Sequence, residues 1–256
     1  MEHRKKTLVL FDVDGTLTQS RLPVTEEMEQ LLVKLREKVH VGLVGGSDLK
    51  KISEQMVHGT DETYIERLAN SYDYIFSENG LLSYGHGKLI EKRSIIDQLG
   101  EKNLQRLINF SLCYLSKLEL PCKRGTFIEF RTGMINISPI GRSCSQAERL
   151  QFVEYDREHG IRKTMVEALN QEFGPQFGLT FAIGGQISID CFPIGWDKTY
   201  CLRFVEDKFE KIYFVGDKTD PGGNDHEIYA DSRTIGHSVK NYHETIKLID
   251  DLFLTN

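Results

Sequence analysis

Residues 7–16 of the chain read TLVLFDVDGT, an apolar run that leads into two aspartates and a glycine. A short, continuous apolar run is typical of a parallel strand that is buried on both faces. Gly15 lets the chain turn sharply after it. Because side chains two residues apart in an extended segment point the same way, Asp12 and Asp14 are expected to face one reaction centre. The stretch therefore predicts a buried strand whose carboxyl end carries the chemistry.

The following segments extend this strand into a βαβ unit. Thr25 is a good N-cap for a helix whose apolar side chains, from Met28 to Leu35, follow the helical period. Residues 39–44 form a second apolar strand, which ends in Gly-Gly-Ser-Asp. A strand, a helix and a strand in immediate succession favour a parallel, doubly wound sheet.

The middle of the chain has a different pattern. Residues 95–118 predict one or two helices, and residues 145–173 predict a charged helix pair. Around them lie four β-rich segments, at residues 126–130, 134–137, 179–183 and 187–192. Strands interrupted by helices in this way indicate an α+β insert that is built on an antiparallel sheet.

A buried strand at residues 212–215 then returns to the first pattern. We therefore expect an α/β fold in which residues 1–88 and 193–256 form a Rossmann-like catalytic core with a parallel sheet. Residues 89–192 are expected to form the inserted cap domain.

Composition and charge exclude several classes of protein. The formal net charge of −6 disfavours nucleic acid and anionic membranes as partners, because either would need a broad basic face. The five cysteines form no CxxC pair, which favours free thiols in a reducing compartment. No apolar run approaches the length of a membrane helix, and the N-terminal apolar run is too short for a secretion signal. The expected location is the cytoplasm.

Four short motifs follow one another in a meaningful order. Asp12 to Thr16 resembles the first motif of the haloacid dehalogenase superfamily of phosphatases and mutases. Ser47, Lys198 and the pair of Asp217 with Asp225 match the three motifs that follow it in that superfamily. Read separately, these are an acidic loop, a helix cap, a surface lysine and a glycine-rich loop. Their order makes the resemblance specific.

The resemblance extends over almost the whole chain to the eukaryotic phosphomannomutases of this superfamily. The matching segments are FDVDGTLT (11–18), VGGSD (44–48), RGTFIEFR (124–131), NISPIGRSCSQ (136–146), GGQISID (184–190), GWDK (195–198) and GDKTDPGGNDHEI (216–228). The resemblance implies interconversion of mannose 6-phosphate and mannose 1-phosphate, with activity on glucose phosphates as well. It implies an aspartyl phosphate and a hexose 1,6-bisphosphate intermediate, which also serves as activator. The product would feed GDP-mannose synthesis and glycosylation.

The resemblance also implies roles for individual residues. Asp12 would be the nucleophile, Asp14 the general acid and base, Ser47 a ligand of the transferring phosphoryl group, and Lys198 a counter-charge. Mg²⁺ is expected on hard oxygen ligands from Asp12, Asp14, Asp217 and Asp225. A second cation is expected at Tyr229, Asp231 and Thr234. Substrate binding is assigned to Arg21, Arg131, Arg142, Arg149, Ser188 and Asp190. The family also implies a homodimer through the cap domain and closure of the cap over the core.

Three alternatives to this interpretation can be weighed from the residues. A sugar phosphatase of the same superfamily would use the same four motifs, with water as the final acceptor. An inactive phosphosugar-binding scaffold would lack Asp12 or Asp14, and both are present. A nucleic-acid-binding protein would need a basic stripe or interleaved aromatic residues, which the sequence lacks.

Overall fold

A computed structural model describes residues 6–19, 22–57 and 63–255. The chain divides into two compact units. The core unit comprises residues 1–92 and 195–256, and the insert unit comprises residues 93–194.

The core unit is built on a twisted sheet that has seven strands within the described residues, in the order β11-β10-β1-β2-β3-β4-β5. The strands span Thr7–Phe11 (β1), His40–Val44 (β2), Tyr74–Ser77 (β3), Leu82–Gly85 (β4), Lys88–Lys92 (β5), Lys211–Gly216 (β10) and Ile235–Ser238 (β11). The first five strands in this order pair in parallel. Residues 8–11 of β1 are fully buried at the centre, as a continuous apolar run requires.

The core unit has five α-helices within the described residues. They span Glu26–Arg36 (α1), Leu49–Met56 (α2), Tyr64–Ser71 (α3), His226–Ala230 (α8) and Tyr242–Ile249 (α9), with 3₁₀ turns at Glu78–Gly80 and Lys198–Phe204 and a π-helical turn at Asp250–Leu254. Thr25 caps α1, since its side chain accepts a hydrogen bond from the Met28 amide at 3.3 Å. Met28 and Leu35 lie buried on the inner face of this helix, which confirms the helical pattern.

At one edge of the core sheet the strands pair antiparallel rather than parallel. Strands β4 and β5 pair antiparallel to each other, and β4 pairs antiparallel to β3. Strand β5 is mostly exposed and carries three charged residues among five, so it lacks the apolar run that marks a buried strand. Charged side chains on an edge strand discourage pairing with another chain.

The insert unit contains a four-stranded antiparallel sheet in the order β6-β7-β9-β8. Its elements span Ile95–Leu99 (α4), Glu101–Ser116 (α5), Ile128–Phe130 (β6), Ile135–Ile137 (β7), Gln146–His159 (α6), Ile161–Phe177 (α7), Leu179–Gly184 (β8) and Ser188–Pro193 (β9). Helices α4 and α6 each begin with a capping box, at Ser94 with Asp97 and at Ser145 with Glu148. The α/β core and the α+β insert are thereby confirmed.

All five cysteines are free, and four of them are buried. Among the described residues, no helix is both long and apolar enough to cross a membrane.

Candidate active site

The loop after β1 holds Asp12 in place through the backbone. The Asp12 amide donates to the Val215 carbonyl at 2.9 Å, which ties the loop to the end of the neighbouring strand β10. Gly15 has a φ of +96°, and a Cβ atom there would lie 2.6 Å from Oδ2 of Asp217. A side chain at position 15 would therefore be strained and would displace the Asp217 carboxylate. The glycine predicted to make a sharp turn thus lets the loop that carries Asp12 pass close to Asp217.

Lys198 joins two of the candidate acids. Its Nζ donates to Oδ1 of Asp12 and, at 2.5 Å, to Oδ1 of Asp225. All three side chains are buried, and Lys198 is only 1% exposed. Lys198 begins a 3₁₀ turn that Asp197 caps, so the chain directs its ammonium group toward the end of β1. Burial alone would lower the pKa of Lys198, but the charges of Asp12 and Asp225 outweigh it and hold that pKa above its usual value.

Three carboxylates meet at the carboxyl ends of the parallel strands. Asp12, Asp217 and Asp225 each place an oxygen within 4.8 Å of the other two. Burial raises the pKa of Asp12 to about 6; Lys198 lowers it, and the charges of Asp225 and Asp217 raise it further. Burial also raises the pKa of Asp217. Several acids held this close, in a site that disfavours their charge, favour a bound cation.

The donor chemistry of this site fits Mg²⁺. Oδ1 of Asp217 is buried and makes no hydrogen bond within the described residues, so one carboxylate oxygen remains available as a ligand. The second oxygen of the Asp225 carboxylate, Oδ2, accepts a hydrogen bond from the Lys218 amide at 3.0 Å, which fixes the orientation of that carboxylate. Carboxylate oxygens are the ligands that a hard divalent cation prefers.

A pocket of about 170 Å³ opens beside these carboxylates. It is lined by Asp12, Val13, Asp14, Gly45, Gly46, Ser47, Ile52, Gln55, Lys218 and Asn224. Ser47 follows β2 in this pocket but is not the helix cap, because Asp48 caps α2 by accepting from the Lys51 amide at 2.8 Å. The structure therefore brings Asp12, Asp14 and Ser47 to one cavity of a size that admits a phosphoryl group.

Gln55 contacts the candidate general acid and base. Its Nε2 donates to Oδ1 of Asp14 at 3.1 Å and to Oγ1 of Thr18 at 3.3 Å. Gln55 is buried on α2, 41 residues from Asp14 along the chain. No sequence pattern marks this residue, because a glutamine inside an amphipathic helix carries no sign of its distant partner.

In the insert unit, Arg131 and Arg142 share one carboxylate. Oε2 of Glu129 accepts from Nη2 of Arg131 at 2.5 Å and from its Nε at 2.9 Å, and it pairs with Nε of Arg142 at 3.1 Å. Arg149 lies nearby on α6 and donates to the Arg142 carbonyl at 3.0 Å. Three of the four predicted arginines therefore form one connected group.

Ser188 and Asp190 belong to the same group through strand β9. Arg142 Nη1 donates to Oδ1 of Asn136 at 3.0 Å and to Oγ of Ser188 at 3.4 Å. Asn136 in turn donates to Oδ1 of Asp190 at 2.6 Å. A Cβ atom at Gly184 would lie 2.2 Å from Oδ2 of Asp190, so this position on β8 leaves room for the carboxylate. No sequence pattern marks Glu129 and Asn136 as part of this group, since only strand pairing places them beside the arginines.

Four predicted site residues remain: Arg21, Tyr229, Asp231 and Thr234. Arg21 lies outside the described residues. Asp231 is held by Arg233, which donates to Oδ1 at 2.9 Å and to Oδ2 at 2.7 Å and lowers the pKa of that carboxyl. Thr234 donates from its hydroxyl to the carbonyls of Ile228 at 2.5 Å and Asp231 at 3.1 Å. Tyr229 lies on the last turn of α8, two residues before Asp231.

The chain matches a family model described as eukaryotic phosphomannomutase over residues 28–255. It is 53% identical over 248 residues to a probable phosphomannomutase of Caenorhabditis elegans, covering 96% of this chain and 95% of the relative. It is 54% identical over 253 residues to a phosphomannomutase of Saccharomyces cerevisiae, and the match covers 98% of this chain and 96% of the relative. These matches confirm the resemblance drawn from the motifs.

Solved structures with low sequence identity share the fold. An Aspergillus fumigatus trehalose-6-phosphate phosphatase superposes with a TM-score of 0.60 at 14% identity and covers 97% of this chain and 92% of its own. A haloacid dehalogenase-like hydrolase of Bacteroides thetaiotaomicron superposes with a TM-score of 0.56 at 14% identity. This match covers 96% of this chain and 92% of the hydrolase. Identity over nearly the full length, rather than this likeness of fold, decides the family: the chain belongs to the eukaryotic phosphomannomutases.

Proposed function

We propose that the protein is a phosphomannomutase that interconverts mannose 6-phosphate and mannose 1-phosphate and that also acts on glucose phosphates. The observation that carries the proposal is the cluster of buried Asp12, Lys198 and Asp225 with the half-buried Asp217, beside a small pocket, in a chain of this family. An acid that is buried next to an ammonium group and further carboxylates has the surroundings of a phosphoryl acceptor.

In the proposed cycle, Asp12 attacks the phosphorus of a hexose 1,6-bisphosphate, which acts as activator. The new bond joins phosphorus to an Asp12 oxygen, and the bond from phosphorus to the sugar oxygen breaks. Asp14 gives a proton to the leaving sugar oxygen and later takes one from the hydroxyl of a hexose monophosphate that attacks the aspartyl phosphate. Ser47 binds the transferring group, and Lys198 offsets its charge together with that of Asp12.

Asp12, the carbonyl of Asp14, Asp217 and Asp225 are the residues that we assign to Mg²⁺. When bound, the ion neutralises charge on the phosphoryl oxygens. The orphaned Oδ1 of Asp217 supports this assignment. We also assign a second cation to the oxygens of Tyr229, Asp231 and Thr234. Since Arg233 holds the Asp231 carboxylate, carbonyl and hydroxyl oxygens would supply most of its ligands there.

We assign residues 1–88 and 193–256 to catalysis and residues 89–192 to a cap that binds the phosphate that is not being transferred. Arg131, Arg142 and Arg149 would supply paired donors for this phosphate, and Ser188 and Asp190 would contact the substrate. Arg21 would bind substrate beside the nucleophile loop. The hydrogen bonds that connect Arg142, Ser188, Asn136 and Asp190 support a common site. We further propose a cytoplasmic homodimer formed through the cap, whose product feeds GDP-mannose synthesis.

The test is conversion of mannose 1-phosphate to mannose 6-phosphate, with Mg²⁺ and a trace of glucose 1,6-bisphosphate, while free phosphate is monitored in the same tube. We expect isomerisation without phosphate release in the wild type and neither reaction with Asp12→Asn. Asp207→Asn, the same change at an exposed aspartate of the core unit, is the matched control and should behave as the wild type. Stoichiometric phosphate release without the isomer would replace the mutase by a sugar phosphatase.

A further inference from the structure

A carboxylate of the protein itself forms ion pairs with two of the arginines assigned to phosphate binding. Glu129 places a single oxygen, Oε2, against Nε and Nη2 of Arg131 and against Nε of Arg142. Carboxylates and phosphates compete for the same guanidinium donors, because both present charged oxygen acceptors that guanidinium N–H groups bind strongly. Glu129 therefore holds the donors that an incoming phosphate would need.

Strand pairing keeps this carboxylate in place. Glu129 on β6 is in register with Asn136 on β7, which is in register with Asp190 on β9. Arg142 is also held by Asn136 and Ser188 through Nη1, so its guanidinium does not depend on Glu129 for its position. The Glu129 carboxylate thus adds negative charge to a site that other residues already organise.

The ion pairs of Glu129 are open to solvent, with side chains 34% exposed for Glu129, 39% for Arg131 and 28% for Arg142. Partly exposed pairs between arginine and carboxylate are weak and exchange readily. A doubly charged phosphate can therefore displace Glu129, or share the arginines with it, without breaking a strong internal bond.

We propose, resting on the proposed function, that Glu129 is an internal competitor for phosphate that speeds release of the bound end of the hexose bisphosphate. The mutase reaction needs each end of the bisphosphate to be held by the arginines in turn. Three guanidinium groups without a competing anion would retain the first end. Glu129 pairs again with Arg131 and Arg142 as the phosphate leaves. The hexose bisphosphate can then reorient within a catalytic cycle.

A purely orienting role for Glu129 leads to the opposite result. If Glu129 only aligned the two arginines, its removal would loosen them and weaken phosphate binding. If it competes, removal of its charge releases the donors and makes the net charge of the site one unit more positive, so phosphate binds more tightly. The direction of the change in affinity separates the two roles.

The experiment compares the full-length wild type with Glu129→Gln, which keeps the size of the side chain and an oxygen acceptor. Inorganic phosphate is the binding probe, titrated by calorimetry, and KM and kcat are measured with mannose 1-phosphate. We expect phosphate affinity to rise about two- to fivefold, KM to fall and kcat to fall because release becomes slower. Glu154→Gln, which disrupts the ion pair of Glu154 with Arg157 on the outside of α6, is the matched control and should change none of these values.

Three results would overturn the inference: unchanged or weaker phosphate binding by Glu129→Gln, tighter binding with no fall in kcat, or a gain in affinity that persists when Arg142→Met is added. The last result would place the gain at another site. Failure of the proposed function is recognised separately, because it appears in the wild type as an absence of isomerisation, whatever Glu129→Gln does to the affinity for inorganic phosphate.

Discussion

Gln55 and Asp14 are joined by a hydrogen bond of 3.1 Å from Nε2 to Oδ1, which links helix α2 to the loop after β1. The amide nitrogen also donates to Thr18, so it is held between two fixed oxygens. A buried donor of this kind fixes the direction in which a carboxylate points. Gln55 is therefore a positioning residue for the proton transfer that we assign to Asp14.

Replacement of Gln55 by methionine should slow turnover more than it weakens binding. Methionine keeps the volume but removes the donor, and a hydrogen bond to a charged group contributes about 1.5–3 kcal/mol, so kcat should fall roughly 10- to 100-fold. Gln30→Met, at an exposed glutamine that bonds Glu26, is the control. A loss of thermal stability that accompanies the fall in kcat would show a structural role instead.

Mg²⁺ should stabilise the folded protein through Asp217. A ligand at 100 times its dissociation constant adds about 2.7 kcal/mol to the free energy of unfolding, which for a chain of this size raises Tm by roughly 5–10 °C. Asp217→Asn removes one charged ligand from the group with Asp12 and Asp225, and the rise with Mg²⁺ should disappear. The readout is Tm with and without MgCl₂, which needs no substrate.

Asp220→Asn is the matched control, because Asp220 is exposed on the same loop as Asp217. This variant should keep the full response to Mg²⁺. An equal rise in Tm for Asp217→Asn and Asp220→Asn would exclude Asp217 as a ligand and would contradict the metal site.

The parts of the fold that sequence predicted well share one physical cause. Strands β1, β2 and β10 are buried by neighbours on both faces, so their apolar runs stand out from the flanking polar residues. Thr25 similarly marks the start of α1, because a helix end needs a side-chain acceptor. Strands β4 and β5 have no such mark. Their pairing depends on the edge that β3 leaves open, and this is a tertiary property.

For the candidate site, motifs located the residues but not their partners. The strand ends place Asp12 and Asp217 together, which the rule for parallel strands predicts. In contrast, Gln55 reaches Asp14 and Glu129 reaches Arg142 only because of helix packing and strand register. Glutamine and glutamate are also common on exposed surfaces, so their types alone carry no signal.

His237 should make the stability of the protein sensitive to acid. Burial lowers the pKa of His237 on β11, so the unfolded chain binds a proton more readily than the folded one. This contribution to stability is present above the pKa of the unfolded state, near 6.5, and is lost as the pH falls through the lower pKa of the folded state. Because Nε2 of His237 is buried without a hydrogen-bond partner among the described residues, nothing there compensates the added charge.

His237→Phe keeps the stack of the ring on Tyr213, whose centroid lies 5.9 Å away, but it cannot take up a proton. Between pH 7.5 and pH 5.5 its Tm should fall by less than that of the wild type. His243→Gln, at an exposed histidine, should leave the fall unchanged. If both variants track the wild type, other groups cause the acid sensitivity.

Arg162 and Asp156 form a buried ion pair that fixes the turn between β8 and β9. Arg162 Nε donates to Oδ2 of Asp156 at 2.7 Å, and the Arg162 amide donates to Oδ1 at 2.8 Å. Nη1 donates to the carbonyls of Gly185 at 2.9 Å and Ser188 at 3.3 Å, so the guanidinium crosses from helix α7 to the strand that carries the candidate sugar contacts. Loss of the arginine would leave both a buried carboxylate and two carbonyls without this donor.

Arg162→Met should therefore lower the free energy of unfolding by about 3–5 kcal/mol, because a buried charge that loses its partner is strongly destabilising. In a double-mutant cycle with Asp156→Asn, the two changes should couple by roughly 1–3 kcal/mol, since the second change removes the charge that the first left unpaired. Denaturant unfolding measures both values. The same cycle on Arg157 and Glu154, an ion pair exposed on α6, is the control and should show no measurable coupling. Equally small coupling in both cycles would mean that the carbonyl contacts of Arg162, and not its charge pair, hold the turn.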